Sequence, residues 1–300
     1  MPQSIVFENS AAFSSAMQQQ GWKVDFLQLD RGREAVKLQA VSGSDLSVLR
    51  VELSNRVHQR VLPPAGALTF GLPSRPQPPG LMGRRPLLSE SLTCFDTFKG
   101  LSSVSQAGFS AFTLTVPERR VARLAESVGL NSPVGDRTLL GVQCLPPAQD
   151  LARWRAYLSE VLRLAGSRDA NPKDKALRCS ESDLLLELLQ SFAGSERVAY
   201  IPARNRHRAL RRALAHIEQR PQLPITVEEL CRESAASIST LERAFREHFG
   251  VSPKRYLVAC RLHRVRCALV ARADPRSIAD IASEWGFWHM SKFAADYKRM

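Results

Sequence analysis

Two stretches of this chain, 51 positions apart, are built on one plan. Thr226-Val227-Glu228-Glu229-Leu230-Cys231-Arg232-Glu233 and Ser277-Ile278-Ala279-Asp280-Ile281-Ala282-Ser283-Glu284 each open on a hydroxyl residue with an acid three positions later. That is the capping-box pattern: the hydroxyl oxygen accepts from a backbone N–H of the first turn, and the acid accepts from the cap's own N–H. In both stretches apolar residues follow at i, i+3, i+4, which predicts a short helix with one buried face. A Ser/Ala turn, Ser234-Ala235-Ala236-Ser237, ends the first copy, and Gly286 supplies the turn of the second. A further helix then carries Ile238, Leu241, Ala244, Phe245 and Phe249 and closes at Gly250, a residue suited to the left-handed position after a helix. Phe293 and Tyr297 match Leu241 and Phe245 at an offset of 52. The repeat therefore predicts two helix-turn-helix units, 226–250 and 277–300.

A pair of short helices joined by a tight turn is the unit that lays its second helix in a DNA major groove. One such pattern is weak; two in register are much stronger. The charge agrees. The 300 residues carry a net charge of +13, and residues 204–300 hold 19 Lys plus Arg against 10 Asp plus Glu, whereas the first 203 hold 23 against 19. The cationic excess travels with the repeat, and its natural partner is a polyanion. Between the units, Ser252 and Pro253 open a helix expected to run from Lys254 to about Arg272. Such a strut is roughly 30 Å long, close to the ~34 Å of one DNA turn. It would set two reading helices into adjacent major grooves of double-stranded DNA while also forming the core of its own domain.

Outward positions near the start of the first reading helix are Ser239, Thr240, Glu242 and Arg243, and they are the expected base readers. Arg243 leads, because a guanidinium can bond bidentately to guanine, and Glu242 could accept from cytosine. In the second unit the same places hold His289, Met290, Ser291 and Lys292. Arg246, Lys254, Arg255, Lys298 and Arg299 are expected at phosphates. Ala295 stands where the first copy has Arg243, so the second unit is expected to read bases more weakly.

These residues bring a resemblance into view. Leu241-Glu242-Arg243-Ala244-Phe245-Arg246-Glu247-His248-Phe249-Gly250-Val251-Ser252-Pro253-Lys254-Arg255-Tyr256-Leu257, with Ile278-Ala279-Asp280-Ile281-Ala282 and Gly286-Phe287-Trp288-His289-Met290-Ser291-Lys292-Phe293, resembles the AraC/XylS family of bacterial transcription regulators over roughly the last 80–95 residues. More loosely, Ala67-Leu68-Thr69-Phe70-Gly71-Leu72-Pro73 resembles the regulatory domains of the ethanolamine-operon subgroup. The resemblance implies a cytoplasmic, homodimeric transcriptional activator that senses an effector through a cupin-like domain, with RNA polymerase as a further contact. Family members usually continue past the second reading helix; this sequence ends one position before the match to Phe249, from which either a truncated chain or a looser second element is expected.

The remaining sequence reads as a regulatory and dimerisation domain, 1–194, then a linker, 195–204, then the DNA-binding domain, 205–300. The fold class expected is α+β: a small cupin-like β domain with flanking helices, then an all-α domain. Within 1–116, short strands are expected at Val36-Lys37-Leu38-Gln39-Ala40, Leu46-Ser47-Val48, Ala67-Leu68-Thr69-Phe70 and residues 109–116, separated by Pro- and Gly-rich turns. Helices are expected from Pro117 at the first helical position to Gly129, over 148–166 and over 173–193. The last two are strongly apolar. Leu151, Trp154, Leu158, Val161, Leu162, Leu185, Leu188 and Leu189 either pack on the β domain or form an exposed dimer stripe, and both readings stand.

Other classes are disfavoured. No run approaches 18 apolar residues, and the N-terminus lacks the basic-then-apolar pattern of a secretory signal. Six scattered cysteines, with no Cys-x-x-Cys, read as reduced thiols. Neither cofactor nor metal is expected. A cupin-type enzyme would need several histidines, and the first 203 residues contain only His58. A nonspecific or architectural DNA binder is the alternative; it would show steep salt dependence with little sequence preference.

Overall fold

Alternation is the rule that builds the N-terminal half. In Ser110–Pro117 every second residue is buried, as a strand with two different faces requires. In the computed structural model, which describes residues 3–42, 46–83, 85–130, 140–165, 173–199, 205–220, 224–270 and 276–300, this strand lies between two others. The chain runs β1 (Gln3–Phe7), α1 (Ser10–Gln18), β2 (Lys23–Gln28), β3 (Val36–Ser42), β4 (Ser47–Leu53), β5 (Val57–Leu62) and β6 (Ala67–Pro73). Next come β7 (Gly80–Met82), β8 (Arg85–Leu87), β9 (Leu92–Cys94), β10 (Leu101–Ser105), β11 (Ser110–Pro117) and α2 (Glu118–Ser127). Then follow β12 (Gln143–Leu145), α3 (Ala148–Ala165), α4 (Lys173–Gly194) and β13 (Glu196–Arg197). The C-terminal part is helical: α5 (Asn205–Gln219), α6 (Val227–Ser234), α7 (Ile238–Phe249), α8 (Pro253–Val270), α9 (Ile278–Glu284) and α10 (Met290–Arg299).

Two antiparallel sheets face each other. One has the order β1-β3-β4-β11-β6-β9-β12-β13, the other β2-β5-β10-β7-β8. The molecule is layered across them. Leu68, Phe70, Leu72, Phe112, Leu114 and Val116 of the larger sheet turn outward onto α2, α3 and α4. Val36, Leu38, Leu49 and Leu53 turn inward, where they meet Val24, Phe26 and Val57 of the smaller sheet, with α1 closing the edge through Phe13 and Met17. The far side of the smaller sheet, through Leu27 and Val104, packs against the helices of the C-terminal part. The α+β organisation is the one the sequence predicts.

The layering decides between the two readings of the apolar helices. Leu151, Trp154, Leu158, Val161, Leu162, Leu185, Leu188 and Leu189 are all buried within this single chain, as part of the core under the larger sheet. Trp154 is 1% exposed, and its indole N–H donates to Glu187 at 2.9 Å. Packing on the sheet already removes these side chains from water, each worth about 1.5–3 kcal/mol. These eight side chains offer no exposed apolar surface to a second copy, and the expectation of a dimer face on them is corrected.

Other differences are local. Pro117 is the N-cap of α2 and has no side-chain capping bond; it is not the first helical residue. Part of the expected linker belongs to the sheet: β13 pairs with β12, and Val198 N–H donates to the Gln143 carbonyl at 3.0 Å. Residues 200–204, which complete that linker, lie outside the described residues, as do 271–275 at the end of the expected strut. No helix among the described residues is long and apolar enough to cross a membrane.

Candidate nucleic-acid interface

The first unit is built from its caps inward. Thr226 Oγ1 accepts from Glu229 N–H at 3.2 Å and starts α6. The Glu229 carboxylate is also drawn into tertiary contact, where it accepts from His216 Nε2 of α5 at 2.7 Å and from Arg220. The His216 contact holds that carboxyl below its usual range. Ala235 then takes a left-handed conformation, φ 51°, and turns the chain. Ser237 caps α7 by accepting from Thr240 N–H. Leu241, Ala244, Phe245 and Phe249 are buried, as the spacing predicts.

The opposite face of α7 is open. Ser239, Arg243 and Arg246 are exposed, while Thr240 and Glu242 are half-buried. Glu242 accepts from Arg246 Nε at 3.1 Å, one turn along the same face. Asn205 and Arg206, at the start of α5, stand with Ser239, Thr240 and Arg243 around one open hollow. The sequence reading missed these two, because it identified no helix before Thr226. α7 ends at Gly250, whose φ of +73° favours glycine, and the Arg56 guanidinium of the β domain lies close against it.

The second unit repeats the plan with a complete capping box. Ser277 Oγ accepts from Asp280 N–H at 3.1 Å, and Asp280 Oδ2 accepts from Ser277 N–H at 3.3 Å. Gly286, φ +78°, takes the place of Ala235. His289 is the N-cap of α10 without a side-chain capping bond, and His289, Ser291 and Lys292 are exposed. Met290 is a correction: it packs half-buried on the small core of Leu262, Val265, Ile281, Ala282 and Phe293, so its side chain is structural. The reading also passed over Trp288, 73% exposed beside His289, although the run Gly286-Phe287-Trp288 signals aromatic surface at the turn.

Between the units α8 spans 18 residues, about 27 Å at 1.5 Å per residue. It grips the second unit with arginines. The Arg261 guanidinium lies 5.2 Å from the Phe287 ring centre, Arg264 5.5 Å from Trp285 and Arg266 5.6 Å from Tyr297. Of the expected phosphate contacts, Arg246, Lys254 and Lys298 are exposed, and among the described residues none of them pairs with an acid of the β domain. Arg255 is drawn elsewhere: its guanidinium donates to the Leu29 carbonyl of the β domain at 3.2 Å. Arg299 lies against the same region, where its carbonyl accepts from Gly32 N–H at 2.9 Å. The arrangement that results is two capped helices with cationic, hydroxyl-rich outer faces on one connecting helix, which is equipment for phosphates and base edges.

A family model described as a helix-turn-helix domain matches residues 230–300. The chain is 36% identical over 92 residues to the "Probable thc operon regulatory protein" of Rhodococcus erythropolis, covering 30% of this chain and 27% of that protein. It is 28% identical over 177 residues to the "HTH-type transcriptional activator RhaS" of Salmonella schwarzengrund (strain CVM19633), covering 56% of this chain and 62% of that one. The crystal structure of the AraC-like transcriptional activator CuxR aligns over 94% of this chain and all of that one, at 14% identity and a TM-score of 0.43. This chain carries a helix-turn-helix domain over residues 230–300. The matched stretches span between about a quarter and three fifths of these curated relatives. The family match opens at Leu230, the fully buried anchor of α6, and runs through α7 and α10.

Proposed function

We propose that the whole chain is a cytoplasmic, sequence-specific transcriptional regulator, and an activator, whose β domain senses a small molecule. The observation that carries this reading is the pairing of exposed Ser239, Arg243 and Arg246 on α7 with exposed Ser291, Lys292 and Lys298 on α10, across the single helix α8. One chain then engages two adjacent major grooves. Arg243 and Ser239 read base edges, while Arg246, Lys254 and Lys298 hold phosphates. Homodimerisation and contact with RNA polymerase belong to the same reading, with the dimer seated elsewhere than on the buried apolar faces of α3 and α4.

Selection of duplexes from a random pool, followed by footprinting at high resolution, tests it. The expected result is an enriched sequence with two protected major-groove segments about 10 base pairs apart on one DNA face. Binding that depends steeply on salt but enriches no sequence would favour the nonspecific binder instead. A footprint confined to one groove per subunit would remove the second unit from the reading.

A further inference from the structure

The smaller sheet is a wall one strand thick with both faces in use. On β2, Val24 and Phe26 turn inward, and Asp25 and Leu27 turn toward the C-terminal helices. On β5, Gln59 and Val61 turn inward, while His58 and Arg60 reach Tyr256 and Glu218 at 2.9 and 2.8 Å. On β10, Ser103 turns inward, and Ser102 meets His58 Nε2 at 3.1 Å. Period-two alternation thus interleaves, residue by residue, the lining of an internal space with the seat of the DNA-binding domain.

That internal space is a part-enclosed cavity of about 80 Å³ between the two sheets. Aromatic and aliphatic side chains dominate its walls, Phe13, Trp22, Phe26, Phe95 and Phe109 among them, and among the described residues no charged side chain lines it. Two polar atoms there have no partner. The Gln59 side-chain nitrogen is buried and unpaired on one sheet, with the residue only 6% exposed, and Thr113 Oγ1 is buried and unpaired on the other. A buried donor without an acceptor is costly in an apolar setting, so it marks a place where an acceptor belongs. A charged group is unsuited to this cavity because nothing in it would compensate its lost hydration. A polyol is unsuited because most of its hydroxyls would face carbon.

We propose that this cavity binds a small, uncharged, mainly apolar molecule carrying one hydrogen-bond acceptor, held by Gln59 and Thr113, and that β5 transmits its occupancy to the DNA-binding domain. The proposal rests on the regulator reading above and deepens it. Gln59 lies between His58 and Arg60 in sequence, so any shift of the strand that brings the amide onto a ligand moves both residues that hold α5 and α8. No new contact is needed for the signal, because the wall is already shared.

The test uses three probes of nearly one shape on the full chain without DNA: acetophenone, α-methylstyrene and benzoate, titrated by calorimetry. Acetophenone should bind at least about tenfold more tightly than α-methylstyrene, because only the ketone answers the Gln59 donor. Benzoate should not bind at tenfold higher concentration. Gln59→Leu should abolish the preference yet still bind α-methylstyrene, which also reports that the variant is folded. Equal binding of the two neutral probes to the native chain, preference for benzoate, or no binding of any probe would overturn the ligand assignment. Saturating acetophenone should then change affinity for a selected duplex at least threefold in the native chain and leave Gln59→Leu unchanged. Binding without that change would overturn the transmission through β5, whereas failure of the ligand-free protein to select any duplex would strike the regulator reading alone.

Discussion

The two helix-turn-helix units share one local code and differ in what supports them. The first is sunk into a large core. Phe245, Phe249 and Tyr256 stack at 4.4–5.6 Å, His58 of the β domain lies 5.0 Å from Phe249, and α5 braces α6 through His216 and Glu229. The second has a small core and is held from outside: by arginine–aromatic contacts from α8, and by its last two carbonyls, which accept from Gly32 N–H and from Gln28 Nε2 at 2.7 Å. Even the caps divide this way. The acid of the first lends itself to tertiary structure, while the acid of the second closes its own helix. Equal sequence periodicity therefore specifies equal helices, and the surroundings decide how firmly each is aimed.

The largest expected effect tests that difference directly. Phe245→Ala should lower unfolding stability by about 3–5 kcal/mol, as for a fully enclosed ring, whereas Phe293→Ala should fall at or below ~3 kcal/mol because its half-buried neighbours can close in. Denaturant titration measures both, and equal losses would erase the distinction between the two cores. Next in size is the tether on α8. Arg266 pairs with Glu34 at 3.1 Å, both nearly buried, and Glu34 also accepts from Ser10 N–H at 2.8 Å. Glu34→Gln leaves a buried guanidinium without its counter-charge and should cost about 3 kcal/mol. Amide exchange should rise in α9 and α10 before α6 and α7; a uniform rise would mean that the tether serves the whole molecule alike.

The reading faces supply a smaller, sharper contrast. Arg243→Ala should weaken a cognate duplex by about 1–3 kcal/mol and relax preference at one base position, with little change on random duplex. Fluorescence anisotropy on both duplexes decides, and equal loss on the two would make Arg243 a phosphate contact. Ala295, at the matching place on α10, is exposed and offers no donor, so Ala295→Ser should change affinity by less than about 0.5 kcal/mol.

What the sequence discloses, and what it hides, follows the range of the forces involved. Caps, turns and helix faces are local, so Thr226, Ser277, Gly250 and the burial of Leu241 and Phe245 were legible. The strands with clean alternation, β3, β6 and β11, were legible for the same reason. β7, β8 and β9 were not, since three residues carry no period, whereas α5 was legible in the helical spacing of Ala209, Leu210, Ala213 and Ile217 and was overlooked. Met290 matches Ile238 at the offset of 52 and precedes Phe293 by three positions, so its inward face was legible in the spacing, and the assignment to the reading face overlooked it. The eight apolar residues of α3 and α4 announce burial without saying against what; only the outer face of the larger sheet answers that. The interleaved wall of β2, β5 and β10 was hidden, because both of its faces are covered and only residues 23–26 of β2 alternate in polarity.

Caps offer an effect of about 1 kcal/mol. Ser277→Ala breaks both halves of a capping box and should destabilise its unit by ~1–1.5 kcal/mol, against ~0.5–1 kcal/mol for Thr226→Ala, where one bond is lost and His216 still holds Glu229. Thermal unfolding of the two variants compares them, and a larger loss at Thr226 would mean that α5 depends on that cap.

Proton uptake should separate the two units with the least force and the clearest sign. His58 faces Tyr256 and Phe249 of the first unit, with Arg60 and His248 nearby, and burial pushes its pKa down to about 3. Its contribution is complete above the ordinary value near 6.5 and is lost as the pH falls. His263 lies further along α8, between Asp25 of the β domain and Cys267. Burial alone would lower its pKa, but the hydrogen bond to Asp25 at 2.8 Å, the contact with Cys267 and the Asp25 charge together outweigh that and lift it to about 9. Its contribution is complete below about 6.5 and is lost as the pH rises toward 9. The contact between the domains should therefore be firmest near pH 6.5, with losses on the order of 1 kcal/mol for the first pH unit on either side, moderated by solvent at the half-exposed Asp25 carboxylate. Acid should loosen α7 first and alkali the middle of α8 first, as amide exchange at pH-corrected rates would show. His58→Gln should flatten only the acid limb and Asp25→Asn only the alkaline one. If either variant flattened both, the two histidines would be acting as one site, and the units they hold could not be released separately.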